Sequence, residues 1–121
     1  MRAHVTREAP LEACGLVAGK KAHSAYIYEM ENEANSPVRY RIPPKAQLEA
    51  FMDMEANGWE FLAIYHSHPL GPEMPSSTDL AEAAYPETVQ LIWSSKAGEW
   101  QCQGFRIASL SSQAIRLETT Q

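Results

Sequence analysis

Two histidines separated by one residue, His66 and His68, close an apolar run from Phe61 to Tyr65. In an extended chain such residues leave the same face, about 7 Å apart at the backbone. Two imidazoles placed that way can converge on one Zn²⁺, whose bonds to nitrogen are about 2.0–2.1 Å. Taken alone, the pair is more commonly solvated or hydrogen-bonded at a strand end. Asp79 changes the balance, because it falls in the first turn of the helix expected after the loop. From there its carboxylate can swing back toward the strand end as a third, oxygen ligand. Asp79 also completes a Ser76-x-x-Asp79 capping pattern, and on its own the cap is the better reading. Two histidines and a carboxylate leave one tetrahedral position open, as in a catalytic zinc site. Cys14 or Cys102 could close that position, and the sequence leaves this open. Hydrolysis at such a site needs a base outside the ligand set. Glu12 is the candidate, since it sits in Pro10-Leu11-Glu12-Ala13-Cys14-Gly15-Leu16-Val17, among small and apolar neighbours. The competing reading is a solvent-facing glutamate at a helix end.

These residues need elements to position them. Residues 3–13 are expected to form a short helix interrupted near Pro10, followed by a brief buried strand over 14–18. Residues 24–30 and 38–42 alternate as strands, joined by the polar, turn-rich segment 31–37. Pro43-Pro44 opens a helix, with Pro44 suited to the first helical position. Leu48, Phe51 and Met52 supply its apolar stripe, and Asn57-Gly58 ends it. The run from Trp59 to His68 carries five uncharged residues in succession, as expected of a central strand covered on both faces. A helix over 76–85 stops before Pro86. Strands are then expected over 88–94, 99–107 and 113–118. The outcome is an α/β (α+β) domain with a mixed sheet and about three helices.

Composition bounds what such a domain can be. The chain has 121 residues, which fits a single domain spanning 1–121. A formal charge of −5 argues against nucleic-acid binding through a general basic surface. Apolar residues at 45% and charged residues at 21% are ordinary globular usage and argue against a disordered chain. No apolar run approaches the roughly 18 residues of a membrane-spanning helix, and the segment 1–10 lacks the apolar core of a secretory signal. Two cysteines make neither a disulfide framework nor a CxxC pair. A cytoplasmic domain is the expectation.

Glu12 with its Pro10–Gly19 surroundings, His66-Ser67-His68-Pro69, seven residues counted from Pro69, and then Ser76-Ser77-Thr78-Asp79 together resemble the JAMM (MPN+) metalloproteases. The similarity is to the small prokaryotic type. The Asn35-Ser36-Pro37 segment and the helix after Pro43-Pro44 extend it over nearly the whole chain. The resemblance implies a curved mixed sheet flanked by helices, layered as in cytidine deaminases. It implies one zinc per chain on His66, His68 and Asp79. Glu12 would hold and deprotonate the attacking water and pass the proton to the leaving amine, while Ser76 would hydrogen-bond the oxyanion. Only eleven residues precede Glu12, where the family usually has a strand before its opening helix. A missing first strand would leave a sheet edge open, so self-association or a mobile amino terminus is expected. Insertions that grip both units of a ubiquitin chain are expected to be absent.

The expected function is zinc-dependent hydrolysis of amide or isopeptide bonds. By resemblance, the substrates are the glycine-terminated tails of ubiquitin-like or sulfur-carrier proteins, or their conjugates. Neither nucleic acid nor membrane is expected as a partner. The rival from another class is a scaffold module, as in family members that lost the motif, and the intact motif argues against it. A zinc nucleobase deaminase would want His-x-Glu and Pro-Cys-x-x-Cys, which this chain lacks. A DNA-repair-associated relative with a similar His-x-His-Pro motif draws no support from an acidic chain.

Overall fold

The computed structural model describes residues 1–117. Along the chain run α1 (Arg2–Glu8), β1 (Cys14–Lys20), β2 (His23–Met30), α2 (Pro44–Asn57), β3 (Glu60–His68), α3 (Ser77–Glu82), β4 (Val89–Lys96), β5 (Glu99–Ala108) and β6 (Ser111–Ile115). The strands form one mixed sheet in the order β2-β1-β3-β4-β5-β6. The β3–β4 pair is parallel, bridged by α3, and the other pairs are antiparallel. β3 therefore lies inside the sheet, between β1 and β4, as its uncharged run requires.

The two-residue period of the strands sorts side chains onto two faces. Ala63 and Tyr65 of β3 pack with Val17, Leu91 and Trp93 beneath Val5 of α1. Ile64 packs on the opposite face with Cys14, Leu16 and Ala18 beneath Ala50 and Met54 of α2. Leu80 of α3 covers Ile92, Phe105 and Ile107 nearby. Helices thus flank a mixed sheet, the architecture expected from the sequence.

Several element limits differ from the sequence reading, each for a local reason. The first helix ends at Glu8 rather than running toward residue 13, because Pro10 follows. Glu12 consequently lies on the extended approach to β1. The α2 limits follow Pro44 at its start and a left-handed Gly58 at its end, with φ +68°. Its buried face is not Leu48 and Met52, which are 59% and 61% exposed; Ala50 and Met54 face the sheet instead. Ala46 and Phe51 pack against the same cluster from the edges of that face.

Residues 38–42 do not form the expected strand. Their polar backbone atoms are taken by Asn32 and Glu33: Arg41 N–H donates to Asn32 Oδ1, Arg39 O accepts from Asn32 Nδ2, and Glu33 N–H donates to Arg41 O. The third helix is shorter than expected, with Ser76 as its N-cap rather than its first turn. The last strand begins two residues earlier than expected and ends at Ile115; Glu118, assigned to it from sequence, lies outside the described residues. The amino-terminal segment packs against the sheet. Val5 is fully buried, Arg2 Nη1 donates to Trp100 O at 2.9 Å, and its guanidinium lies over the Trp93 ring at 5.4 Å. Among the described residues, the outer strands of the sheet are β2 and β6. No helix among them is long and apolar enough to cross a membrane.

Candidate active site

The antiparallel β1–β3 pairing brings together residues more than fifty positions apart. Cys14 lies opposite His66. One residue further along, Ser67 N–H donates to Ala13 O at 3.0 Å and Ser67 Oγ accepts from Ala13 N–H at 2.8 Å. Continuing the same register sets Glu12 against His68. Glu12 is only 3% exposed, and one ligand-capable atom from each of Glu12, His66 and His68 lies within 4.8 Å of the others.

A second carboxylate reaches the histidines from α3. Asp79 N–H donates to Ser76 Oγ at 3.0 Å, and Ser76 N–H donates to Asp79 Oδ2 at 2.9 Å, closing a capping box. That box turns Oδ2 toward the strand end, where it lies 3.2 Å from His66 Nε2 and 3.0 Å from His68 Nε2. The two Nε2 atoms are 3.1 Å apart. Three donor atoms so spaced fit a small tetrahedral cation: bonds of 2.0 Å imply ligand separations of about 3.3 Å. His68 Nδ1–H donates to Pro72 O at 2.7 Å, so in the neutral ring the Nε2 lone pair faces the cluster. Tyr40 stacks on the His66 ring, with centroids 4.5 Å apart. The residues present therefore fit a metal ion, and His66, His68 and one or both carboxylates could hold it.

The two carboxylates differ electrostatically. Burial pushes Glu12 up to about 8, with His68 opposing and Asp79 adding to the rise, and its Oε1 is buried without a hydrogen-bond partner. Burial also works to raise Asp79, but hydrogen bonds from His66 and His68 outweigh it and hold the group well below the usual carboxylate range. Burial lowers His66. For His68 burial acts the same way, but bonds to Asp79 and the Pro72 carbonyl prevail and raise it. Two carboxyl groups pushed in opposite directions at one site suit two separate roles, one as a proton acceptor and one as a standing anion.

The family of prokaryotic homologues of the JAB domain matches residues 1–106. This chain belongs to that family. A probable TtuB-protein conjugate cleaving protease of Thermus thermophilus is 45% identical over 85 residues, covering 69% of this chain and 57% of that protein. A CysO-cysteine peptidase of Mycobacterium tuberculosis is 34% identical over 98 residues, covering 79% of this chain and 67% of the relative. The solution structure of a protein from Desulfitobacterium hafniense superposes with a TM-score of 0.84 at 33% identity, over 95% of this chain and 82% of the other. The chain thus spans little more than half the length of the Thermus relative.

Within this JAB domain, all five residues singled out from sequence stand at one end of β3. Ser76 is half-buried, and because its Oγ accepts from Asp79 N–H, its own hydroxyl proton is free to be donated. Neither cysteine joins the cluster among the described residues. Cys14 Sγ faces Glu31 O at 3.7 Å, and Cys102 packs on the opposite face with Trp93 and Trp100. Sequence reasoning missed Tyr40, which it placed in a strand, and Ser67, the middle residue of His66-Ser67-His68. It also missed Asn32, whose local Asx turn to Ala34 N–H was the only signal in the sequence.

Proposed function

We propose that this domain is a zinc-dependent hydrolase of amide or isopeptide bonds. Its substrates are the C-terminal Gly-Gly tails of ubiquitin-like or sulfur-carrier proteins, or conjugates of those proteins. One observation carries the reading: two Nε2 atoms and one carboxylate oxygen lie 3.0–3.2 Å apart, with a second carboxyl, that of Glu12, buried beside them. In this reading His66, His68 and Asp79 hold one zinc ion. Zinc there would polarise the scissile carbonyl and lower the pKa of water toward about 7. Glu12 takes the proton of the attacking water and delivers it to the leaving amine, a task for which an acid near neutrality is suited. Ser76 donates its free hydroxyl proton to the oxygen on which negative charge develops. The similarity to a probable TtuB-protein conjugate cleaving protease and to a CysO-cysteine peptidase supports a protein tail as substrate.

An extended tail with small side chains also suits the space beside Asp79. A cavity of about 170 Å³ opens there between Tyr40 and Ile42 on one side and Ala83 to Tyr85 on the other. The reading includes a cytoplasmic location and no nucleic-acid or membrane partner, in keeping with the acidic chain. It also includes self-association, since the β2 edge offers unpaired backbone. A scaffold would have no use for a buried, unpartnered Glu12.

The test is cleavage of a ubiquitin-like protein carrying a short extension after its Gly-Gly, followed by mass spectrometry with and without chelator. Zinc-loaded protein should contain about one Zn²⁺ per chain and cut after the second glycine. Unchanged zinc content in a His66→Ala, His68→Ala double variant would remove the metal site. Failure of the zinc-loaded protein to cut any tail would move the reading to the scaffold.

A further inference from the structure

Asn32 lies in the segment between β2 and α2 and touches none of the five site residues through their side chains. Even so, its amide is the most heavily bonded side chain among the described residues. Nδ2 donates to Glu12 O at 3.0 Å, to Arg39 O at 3.0 Å and more weakly to Ser36 O at 3.4 Å. Oδ1 accepts from Ala34 N–H and Arg41 N–H, each at 3.0 Å. Three carbonyls around the nitrogen and two N–H groups around the oxygen fix which way the amide points. The four shorter bonds use its full capacity of two donors and two lone pairs.

Three of these partners, Glu12, Arg39 and Arg41, matter for the site. Glu12 is gripped through its own peptide groups: its C=O accepts from Asn32, and its N–H donates to Ser36 O at 2.9 Å. On the far side, Ala13 is clamped to Ser67 at both N–H and C=O. Arg39 and Arg41, held by the two ends of the Asn32 amide, flank Tyr40, whose ring stacks on His66. One side chain therefore ties the peptide that carries Glu12 to the peptide that braces His66.

We propose that Asn32 is a positioning residue for the hydrolysis. It sets the location of the Glu12 carboxyl relative to the histidine pair by fixing the backbone of residue 12 and of the 39–41 segment together. This rests on the hydrolase reading above, in which Glu12 moves the proton. A proton acceptor has to lie within hydrogen-bond reach of the water it serves, so small displacements of residue 12 are felt in the rate. Asn32→Asp discriminates best. It is isosteric and keeps acceptors for Ala34 and Arg41, but it turns the two donors into an oxygen facing the carbonyls of Glu12 and Arg39.

The experiment compares wild type, Asn32→Asp and Asn32→Ala as full-length, zinc-loaded protein on the extended Gly-Gly substrate, with amide hydrogen exchange on the same samples. For Asn32→Asp, kcat should fall by about 10²-fold while KM stays within about twofold and zinc content is unchanged. Exchange of the Glu12 amide should quicken on the order of tenfold, while the Ser67 amide keeps its protection. Asn32→Ala, which adds no charge, should move the same quantities in the same direction and serves if the aspartate variant does not fold. A faster Glu12 amide with unaltered kcat would overturn the proposal, leaving Asn32 a loop residue only. Loss of Ser67 protection or of zinc in both variants would overturn it as well, since the effect would then be global. If wild type cut no tail at all, the hydrolase reading would fall and the kinetic role of Asn32 with it. The exchange contrast would still show whether Asn32 places residue 12.

Discussion

Glu12→Gln should raise stability and remove activity together, and the size of the first effect follows from burial. The Glu12 carboxyl is held up to about 8 in the fold, against a model-compound value of 4.5. Between those two values the folded chain binds a proton that the unfolded chain has released, so stability falls as pH rises. The contribution is complete below pH 4.5 and is lost by the time pH passes 8. At pH 7 the loss is on the order of 3 kcal/mol for a single group. Glutamine has the same shape and no proton to lose, so chelator-treated Glu12→Gln should lack this slope. The measurement is urea unfolding of both proteins between pH 5 and 8. The gap between them should widen with pH, reaching on the order of 4 kcal/mol in favour of the variant at pH 8. Histidines titrating over the same range are common to both proteins and cancel to first order in the difference. In the zinc-loaded pair, tail cleavage should drop by about 10²–10⁴-fold with zinc retained. Parallel stability profiles would refute the buried, unpartnered acid, and a fully active variant would refute its role as base.

Asp79→Ala should lose zinc, because two imidazoles alone are a poor set; it should also lose the bond from Ser76 N–H that completes the capping box, so metal analysis and the thermal midpoint should both drop. Ser76→Ala should keep its zinc yet lose about 3 kcal/mol of barrier lowering, read as kcat at saturating metal, and unchanged kcat would strike Ser76 from the mechanism. His4, buried with Nδ1 2.7 Å from Tyr65 Oη, is lowered chiefly by burial. Its contribution to stability is therefore present above pH 6.5 and is lost as pH falls, and His4→Gln should flatten the urea midpoint between pH 7 and 5. Gly15→Ala should destabilise by about 1–3 kcal/mol, since a Cβ there would run into the fully buried Tyr65 ring; an unchanged midpoint would show that the ring can yield.

What was legible in the sequence was local. The face shared by His66 and His68 follows from strand period, and the Ser76–Asp79 pattern follows from helix-start chemistry. The central position of β3 follows from its uncharged run. What was not legible depended on register or on side chains reaching across loops. Glu12 could be suspected from its apolar neighbours, but its approach to His68 needs the β1–β3 register. Of the stripe Leu48, Phe51, Met52, only Phe51 packs inward, against Phe61 and Tyr85; Leu48 and Met52 misled because side-chain size suggested burial, while Ala50 and Met54 face the sheet. The 38–42 alternation misled because its backbone partners are largely the amide of Asn32, and no strand pattern encodes a side chain acting as a strand.

Asp79 shows why a bland and a functional reading of one residue need not compete. A six-residue helix is too short to be stable by itself, so α3 depends on its cap and on Leu80 packing over Ile92 and Phe105. The cap works by folding the Asp79 carboxylate back toward Ser76, and that is also the direction of the histidines. The oxygen that accepts Ser76 N–H is the one lying against both Nε2 atoms. Anything that moves the helix start moves this oxygen. The number of residues between His68 and Ser76 is therefore a geometric requirement of the site, because it decides where the helix begins and so where the third donor atom falls.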